Sequence, residues 1–415
     1  MQNLHIAYIS NSYRCNMANK IDIPNGWEVK KLGEIGNFLK GKGIKKDELC
    51  DNGLPCVIYG QIYTSYDFYT DKFTSFIPIN LKPYTTEIYQ NDILFTGSGE
   101  TKEEIGKSIA YIGKEYAYAG GDIIILRQDK IISIFITYYL NSIGRKQLNR
   151  LGQGDSVVHI YKSILESVKI PVPPLAEQEK IAEILSLWDK AIEHTKELIA
   201  YKEKQKKGLM QNLLTGKKRL HGWTDDWKNI ELGEVLTERN IYAEKNGKYH
   251  HVSLTKYGII QKNDKYDRDY LVTKQGKEYK ITRKDDICYN PANLKFGVIC
   301  KNNYGVGIFS PIYITFEVNS DYNTDFIAFV LTQQSFIDKI RRYEEGTVYE
   351  RKAVKPKDFL LGRILIPTLF NEQKAIADIL LKADKEIELL NKQLELYTEQ
   401  KKGLMQNLLT GRVKV

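Results

Sequence analysis

The stretch KKGLMQNLLTG occupies Lys206–Gly216 and recurs unchanged at Lys401–Gly411, an offset of 195 residues. At the same offset EQEKIAEIL (Glu177–Leu185) lies over EQKAIADIL (Glu372–Leu380), and 22 of the forty pairs from there to the closing glycines are identical. Chance does not place eleven identical residues at a fixed offset, so the chain is internally duplicated. A shorter echo opens each half. GWEVKKLGEI (Gly26–Ile35) and DWKNIELGEV (Asp226–Val235) share Trp27/Trp227 and Leu-Gly-Glu at 32–34 and 232–234. Each half is thus a W-x4-L-G-E opening, about 140 divergent residues and a closely matched closing segment.

The closing segments carry a helical period. Ile181, Ile184, Leu185, Trp188, Ile192, Thr195, Ile199, Leu209 and Leu213 recur at three- and four-residue steps. Ile376, Ile379, Leu380, Ala383, Ile387, Leu390, Leu394, Leu404 and Leu408 repeat them, with charges on the other faces. Neither helix can begin before Pro171-x-Pro173-Pro174 or Pro367. Gly216 and Gly411 suit C-terminal caps, while Gly208 and Gly403 suggest a break near each end. At about 1.5 Å per residue each helix is on the order of 55 Å long. So narrow an apolar stripe needs a cover. The expected one is the other copy, in an antiparallel coiled coil through Ile181, Leu185, Trp188, Ile192, Ile199, Ile376, Leu380, Ala383, Ile387 and Leu394. The alternative is that each helix packs on its own domain.

The intervening segments read as mixed α and β. Ala110–Ile112, Asp122–Leu126, Lys169–Val172 and Val306–Phe316 have strand composition, and Phe135–Gln147 and Asp325–Arg342 are amphipathic. The fold class is α/β (mixed α+β), with two globular domains in a pseudo-two-fold arrangement separated by two long antiparallel helices. Boundaries follow as an N-terminal arm (1–20), a first domain (21–171), a spacer helix (172–221), a second domain (222–366) and a second spacer helix (367–415).

Composition narrows the class. The 415 residues exceed one domain, and 42% hydrophobic with 27% charged residues describes a globular chain. No run approaches the 18 apolar residues of a membrane span, and no cationic start with a clean apolar stretch marks a secretory signal. Five scattered cysteines without C-x-x-C spacing oppose a disulfide framework or zinc knuckle, which leaves a cytoplasmic protein. The excess of 61 basic over 52 acidic residues leans only mildly towards nucleic acid.

Catalytic signatures are near-misses. Ile105-Gly106-Lys107-Ser108 ends like a phosphate-binding loop, but Thr101 stands where the leading glycine belongs. Asn290-Pro291-Ala292-Asn293 lacks the second proline and aromatic of an amino-methyltransferase loop and reads as a turn. Glu278-Tyr279-Lys280 fits a nuclease E-x-K, but so do two segments inside the helices. His250-His251 are adjacent, so on a strand they face opposite ways. There is no H-E-x-x-H and no G-x-S-x-G. The chain reads as non-catalytic.

The paired P-x-L/P-L…E-Q-x-x-I-A-x-I-L segments (Pro173–Leu185, Pro367–Leu380), the L-L-T-G closings and the Gly26–Glu34 opening resemble the specificity subunits of type I restriction–modification systems, from about Ile23 to Val415. The resemblance implies two target-recognition domains, each reading half of a bipartite site in double-stranded DNA, with the helix pair as a ruler. It implies two modification (methyltransferase) subunits as partners, supplying S-adenosylmethionine, and restriction subunits supplying ATP- and magnesium-dependent cleavage. No cofactor, metal or membrane is expected on this chain. Matches begin just after Met17, which leaves residues 1–16 as an arm or the product of an upstream start.

Base readout needs polar side chains on rigid elements. The candidates in the first domain are Lys40, Lys42, Gln61, Tyr63, Ser98, Lys107, Gln153, Ser156 and His159. In the second they are Lys256, Tyr257, Asn290, Lys295, Thr347, Arg351 and Lys352. Two rivals stay open. A fused restriction–methyltransferase enzyme would bind S-adenosylmethionine itself, and a non-DNA coiled-coil scaffold joining two partners would show no salt-dependent DNA affinity.

Overall fold

The computed structural model describes residues 23–154, 157–244, 248–262, 278–346 and 352–415. The arm expected over residues 1–20 lies outside them. So do the candidates Ser156, Thr347 and Arg351. Two units emerge, one of Met1–His194 with Leu394–Val415 and the other of Thr195–Gln393.

Unit 1 opens with β1 (Glu28–Lys31), α1 (Leu32–Ile35) and β2 (Asn37–Lys40). Next come β3 (Leu54–Val57), α2 (Tyr59–Thr64), β4 (Tyr69–Thr70), β5 (Ser75–Ile77) and β6 (Thr86–Ile88). Then follow β7 (Ile93–Thr96), β8 (Ser98–Gly99), β9 (Ser108–Tyr111), β10 (Ala117–Ala119) and β11 (Ile123–Arg127). Helices α3 (Ser133–Leu140) and α4 (Arg145–Leu151), β12 (Val158–His159), α5 (Lys162–Glu166) and β13 (Lys169–Val172) lead into α6 (Leu175–Leu213). The main sheet runs β2-β11-β7-β9-β4, beside a sheet β5-β3-β10-β6 and the pairs β1-β13 and β12-β8.

Unit 2 opens with β14 (Trp227–Glu231), α7 (Leu232–Val235), β15 (Leu236–Glu238) and β16 (Tyr242–Glu244). Its middle holds β17 (Val252–Thr255), β18 (Gly258–Gln261), β19 (Glu278–Thr282), β20 (Ile287–Tyr289) and β21 (Ile299–Lys301). Strands β22 (Gly307–Phe309) and β23 (Ile314–Val318) precede α8 (Thr324–Leu331), α9 (Gln334–Ile340) and α10 (Pro356–Leu360). Strand β24 (Arg363–Pro367) leads into α11 (Phe370–Leu408). Its four-stranded sheet runs β15-β23-β20-β21. That order matches the first four strands of β2-β11-β7-β9-β4. The sheet topology is therefore duplicated even where the sequences have diverged.

The repeated motifs have physical roles. Strand β1 pairs antiparallel with β13, and β14 with β24, so each opening is stitched to the strand before its long helix. Leu32 and Leu232 are fully buried, and Glu34 and Glu234 accept from the amides of Lys31 (2.9 Å) and Glu231 (3.3 Å) to cap the turn. In the E-Q pair, Glu177 accepts from the Trp27 indole at 3.2 Å and Glu372 from Trp227 at 3.3 Å. Buried Gln178 donates to the Pro173 carbonyl (2.7 Å) and accepts from Ile132 N (2.9 Å). Gln373 likewise donates to the Pro367 carbonyl (2.9 Å) and accepts from Asn323 N (2.8 Å). Each glutamine satisfies backbone groups that burial would otherwise strand.

The expected coiled-coil residues divide. Ile181 and Leu185 are fully buried in the unit 1 core, together with Leu408 and Leu409 from the end of α11. Ile376 and Leu380 sit in the unit 2 core with Leu213 and Leu214 from the end of α6. These four are domain-core residues, because the first turns of each helix lie against the sheet module that leads into it. Further along, Trp188 meets Tyr397 edge-on at 5.5 Å, Lys202 pairs with Glu386 at 2.7 Å and Lys206 pairs with Asp384. Within unit 2 the α6 numbers rise as the α11 numbers fall, which is antiparallel pairing. Ile199 is buried, and Ile192, Ala383, Ile387 and Leu394 are half-buried.

Other expectations need correction. Gly208 and Gly403 interrupt neither helix, since both lie within continuous runs with open space beside them. Gly216 (φ +70°) and Gly411 (φ +66°) do take the left-handed conformation of a C-terminal cap. The helix expected over Phe135–Gln147 breaks between α3 and α4. There the Asn141 side chain accepts from Ser108 N (3.0 Å) and donates to Ser108 O (2.6 Å). That over Asp325–Arg342 breaks after Leu331, where Thr332 Oγ1 donates back to Ala328 O at 2.8 Å. Val306–Phe316 is two strands, because Pro311 cannot donate to a ladder.

Candidate nucleic-acid interface

In unit 1 the candidates gather where β2 and β7 end and β11 begins. Gly41 N donates to Ile123 O (2.8 Å) and Gly97 N to Asp122 O (2.7 Å), which holds both strand exits at one rim of the main sheet. Lys40 and Lys42 are exposed there. Tyr63, projecting from α2, brings its hydroxyl within 2.7 Å of Thr96 Oγ1 and 2.9 Å of the Ser98 carbonyl. A Cβ on Gly99 would fall 2.8 Å from that hydroxyl oxygen, so a larger residue there would push the Tyr63 hydroxyl aside. The 152–160 loop returns alongside. Gln153 and His159 exchange backbone bonds of 2.9 and 2.7 Å, and β12 pairs with β8. Ser98 Oγ lies 3.0 Å from His159 Nδ1, and the His159 ring stacks with exposed Tyr161 (centroids 6.3 Å, 25°). The histidine is held by its Nδ1 edge.

Two unit 1 candidates have internal duties. Gln61 Oε1 accepts from Ile58 N at 3.1 Å and its Nε2 donates to Ser75 Oγ, so its amide caps α2 and is not offered to bases. Lys107 Nζ donates to the carbonyls of Tyr63 (3.2 Å) and Tyr66 (2.6 Å), and burial pushes its pKa down. Ile105–Ser108 leads into a strand and not a helix, so the phosphate-loop geometry is absent there.

Unit 2 builds the corresponding rim differently. Asn290 follows β20, but its side chain is buried and accepts from Ala292 N (3.1 Å) and Asn293 N (3.3 Å), stiffening its own turn. That turn carries Lys295, whose ammonium stands 5.0 Å from the ring centre of exposed Phe296. The second loop is anchored on it. Glu345 and Ala353 exchange backbone bonds of 3.0 and 2.9 Å, Val354 N donates to Pro291 O (3.3 Å), and the Tyr289 hydroxyl donates to Val354 O (2.9 Å). Lys352 is exposed on this loop. Lys256 and Tyr257 form the tip of the β17–β18 hairpin. The Tyr257 ring is 88% exposed and lies 5.0 Å from the Lys256 ammonium. Ile259 of the hairpin and Val298 after the Phe296 turn share one small cluster, so the two Lys–aromatic pairs flank it. Lys280 of the Glu278-Tyr279-Lys280 triplet donates to Glu238 at 3.0 Å as a buried ion pair.

The sequence reading missed Tyr161, Phe296 and Arg145. The first two were legible as aromatics beside chosen polar residues. Arg145 carries no local signal. Among the described residues no helix is long and apolar enough to cross a membrane.

Comparison with known proteins bears on these paired rims. The model of the type I restriction modification DNA specificity domain matches residues 24–201 and again 224–396. The type I restriction enzyme MjaVIII specificity subunit of Methanocaldococcus jannaschii is 25% identical over 420 residues, spanning 95% of this chain and 94% of that one. The EcoKI specificity subunit of Escherichia coli is 29% identical over 267 residues, 58% of this chain and 56% of its own. Among solved structures, the S subunit of a type I restriction–modification system from M. genitalium shares the fold, with a TM-score of 0.60 at 17% identity over 95% of this chain and 98% of that one. With both of its halves matched by that model, the chain belongs to the type I restriction–modification DNA specificity family.

Proposed function

We propose that this chain is the sequence-reading subunit of a type I restriction–modification complex, each unit recognising one half of a bipartite target in double-stranded DNA. One observation carries the reading. The same strand order, β2-β11-β7-β9 and β15-β23-β20-β21, ends in unlike loop pairs at matching places. A duplicated frame with different polar rims suits two different half-sites, as paired protein modules suit paired operator halves. The chain itself performs no chemistry in this reading. Two modification subunits supply S-adenosylmethionine and methylation, and restriction subunits supply ATP- and magnesium-dependent cleavage. The two long helices set the gap between half-sites.

Modified-base sequencing of DNA from cells expressing this chain with its modification subunits tests the reading, which expects a split motif with a constant gap. A contiguous motif, or none, would refute it. Deleting Ile192–Leu198 together with Ile387–Gln393 removes one heptad from each helix and should shorten the gap. An unchanged gap would refute the ruler.

A further inference from the structure

Beside the unit 1 rim lies a cavity of about 220 Å³ lined by Asp67, Phe68, Lys107, Asn141 and Arg145. At about 30 Å³ per water it has room for a phosphate group with part of its hydration shell. Asn141 is oriented by Ser108, which bonds both ends of its amide and leaves one N–H of the amide without a bond among the described residues. The two cations differ. Arg145 Nε donates to Glu103 O at 2.8 Å, yet its Nη1 is buried with no partner among the described residues. Lys107 uses two of its three donors on the carbonyls of Tyr63 and Tyr66. Neither has a carboxylate within ion-pair distance among the described residues. Two acidic groups act only at longer range, Asp67 on Lys107 and Glu104 on Arg145.

Two half-buried cations without a contacting counter-ion are an incomplete arrangement, since their bonds to carbonyls replace only part of the hydration each has lost. Burial holds both pKa values below their usual range, and the Arg145 charge lowers that of Lys107 further. An oxyanion would complete the site. Arginine's planar fork and the lysine's point charge are the donors that phosphate oxygens accept. The cavity is also joined to the rim, because Tyr63 accepts from Lys107 through its carbonyl and grips Ser98 through its hydroxyl.

We infer that Lys107 and Arg145 form a phosphate seat that receives one backbone phosphodiester of the half-site read by unit 1, fixing register for the His159 loop that Ser98 holds. The seat rests on the DNA-reading function proposed above. A phosphate contact carries no base information, so its loss weakens all sequences alike.

The test uses the full chain assembled with its modification subunits, and compares wild type with Lys107→Gln, Arg145→Gln and the double variant on target and non-target duplexes across a salt series. The double variant should reduce the log–log salt slope by about 0.9 and weaken both duplexes about fivefold at 0.15 M salt, with the methylated motif unchanged. Arg145→Lys should keep the slope. Replacing single phosphates by neutral methylphosphonates should reveal one linkage that matters to wild type and not to the double variant, a coupling that misfolding cannot imitate. A methylphosphonate scan identical in wild type and variant would overturn the seat while leaving DNA reading intact. Protection of Lys107 from acylation by inorganic phosphate, without any coupled linkage, would overturn it in favour of a free anion. Salt-independent binding by wild type would instead sink the DNA reading itself.

Discussion

Lys401, near the end of α11, pairs with the Asp189 carboxylate of α6, and its ammonium lies 4.3 Å from the centre of the Phe68 ring. Tyr138 donates its hydroxyl to the same aspartate, and burial together with that carboxylate drives its pKa far up. At the 195-residue offset Lys206 pairs with Asp384, with Phe329 at 5.7 Å from the ammonium. The duplicated sequence therefore builds the same ion pair twice, at different depths. The side chains of Lys401 and Asp189 are 9% and 22% exposed, against 24% and 42% for Lys206 and Asp384.

Depth sets the consequence of breaking each pair. Lys401→Met strands a carboxylate among aromatics and should destabilise by about 3 kcal/mol. Lys206→Met exposes its partner to water and should cost about 1 kcal/mol or less. Urea unfolding of the full chain checks both, and equal losses would show that burial is not what distinguishes them. Adding Asp189→Leu to Lys401→Met should recover much of the loss.

The two tryptophan–glutamate contacts are also unequal. Glu372 is 1% exposed and takes two bonds from Arg219, at 2.7 and 2.9 Å, besides that from Trp227. Glu177 has only the Trp27 bond in the described structure, because Lys414 stands where the offset places the arginine. Glu372→Gln should cost about 3 kcal/mol by stranding a guanidinium, and Glu177→Gln about 1 kcal/mol or less. Thermal unfolding of the two variants distinguishes them, and the reverse order would rule out the arginine as the cause.

Identical L-L-T-G segments should tolerate alanine differently. At Gly216 a Cβ would rest 3.5 Å from the Trp227 ring, an ordinary contact, so Gly216→Ala should cost only the left-handed backbone, about 1 kcal/mol. At Gly411 the Cβ would come within 2.1 Å of Pro24 Cγ. Gly411→Ala should therefore cost clearly more and loosen the tail from unit 1, which hydrogen exchange at Leu408–Gly411 would detect. Equal exchange in the two variants would contradict the close approach.

Each rim should control one half of the motif only. His159→Ala, or Ser98→Ala that frees the His159 ring, should relax positions in one half-site by about 1–3 kcal/mol of discrimination. Lys352→Ala or Lys295→Ala should affect only the other half. Modified-base sequencing of the four variants checks this, and a substitution altering both halves would exclude independent readers.

How much was legible depended on range. The caps at Gly216 and Gly411, the helix starts behind their prolines and strand β13 over Lys169–Val172 are local patterns, and they were readable as such. Gln61 and Asn290 were not. Their residue types suit base readout, yet nearby backbone amides claim them first, at 3.1 Å in each case. Lys107 and Arg145 are 38 positions apart, and only the packing of α4 against the 101–107 turn places them on one cavity.

By itself the sequence determined the duplication and two long helices that start behind their prolines and end at the Gly216 and Gly411 caps. Identical side chains at a constant offset repeat the same local preferences, and those need no distant partner. The tertiary structure alone decided that Leu408–Gly411 completes the core of unit 1 while Leu213–Gly216 completes that of unit 2, although the two segments read alike. It alone showed one strand order under two diverged sequences. A helix end buries its leucines wherever a complementary apolar surface lies within reach, and that surface is assembled from residues scattered across the chain.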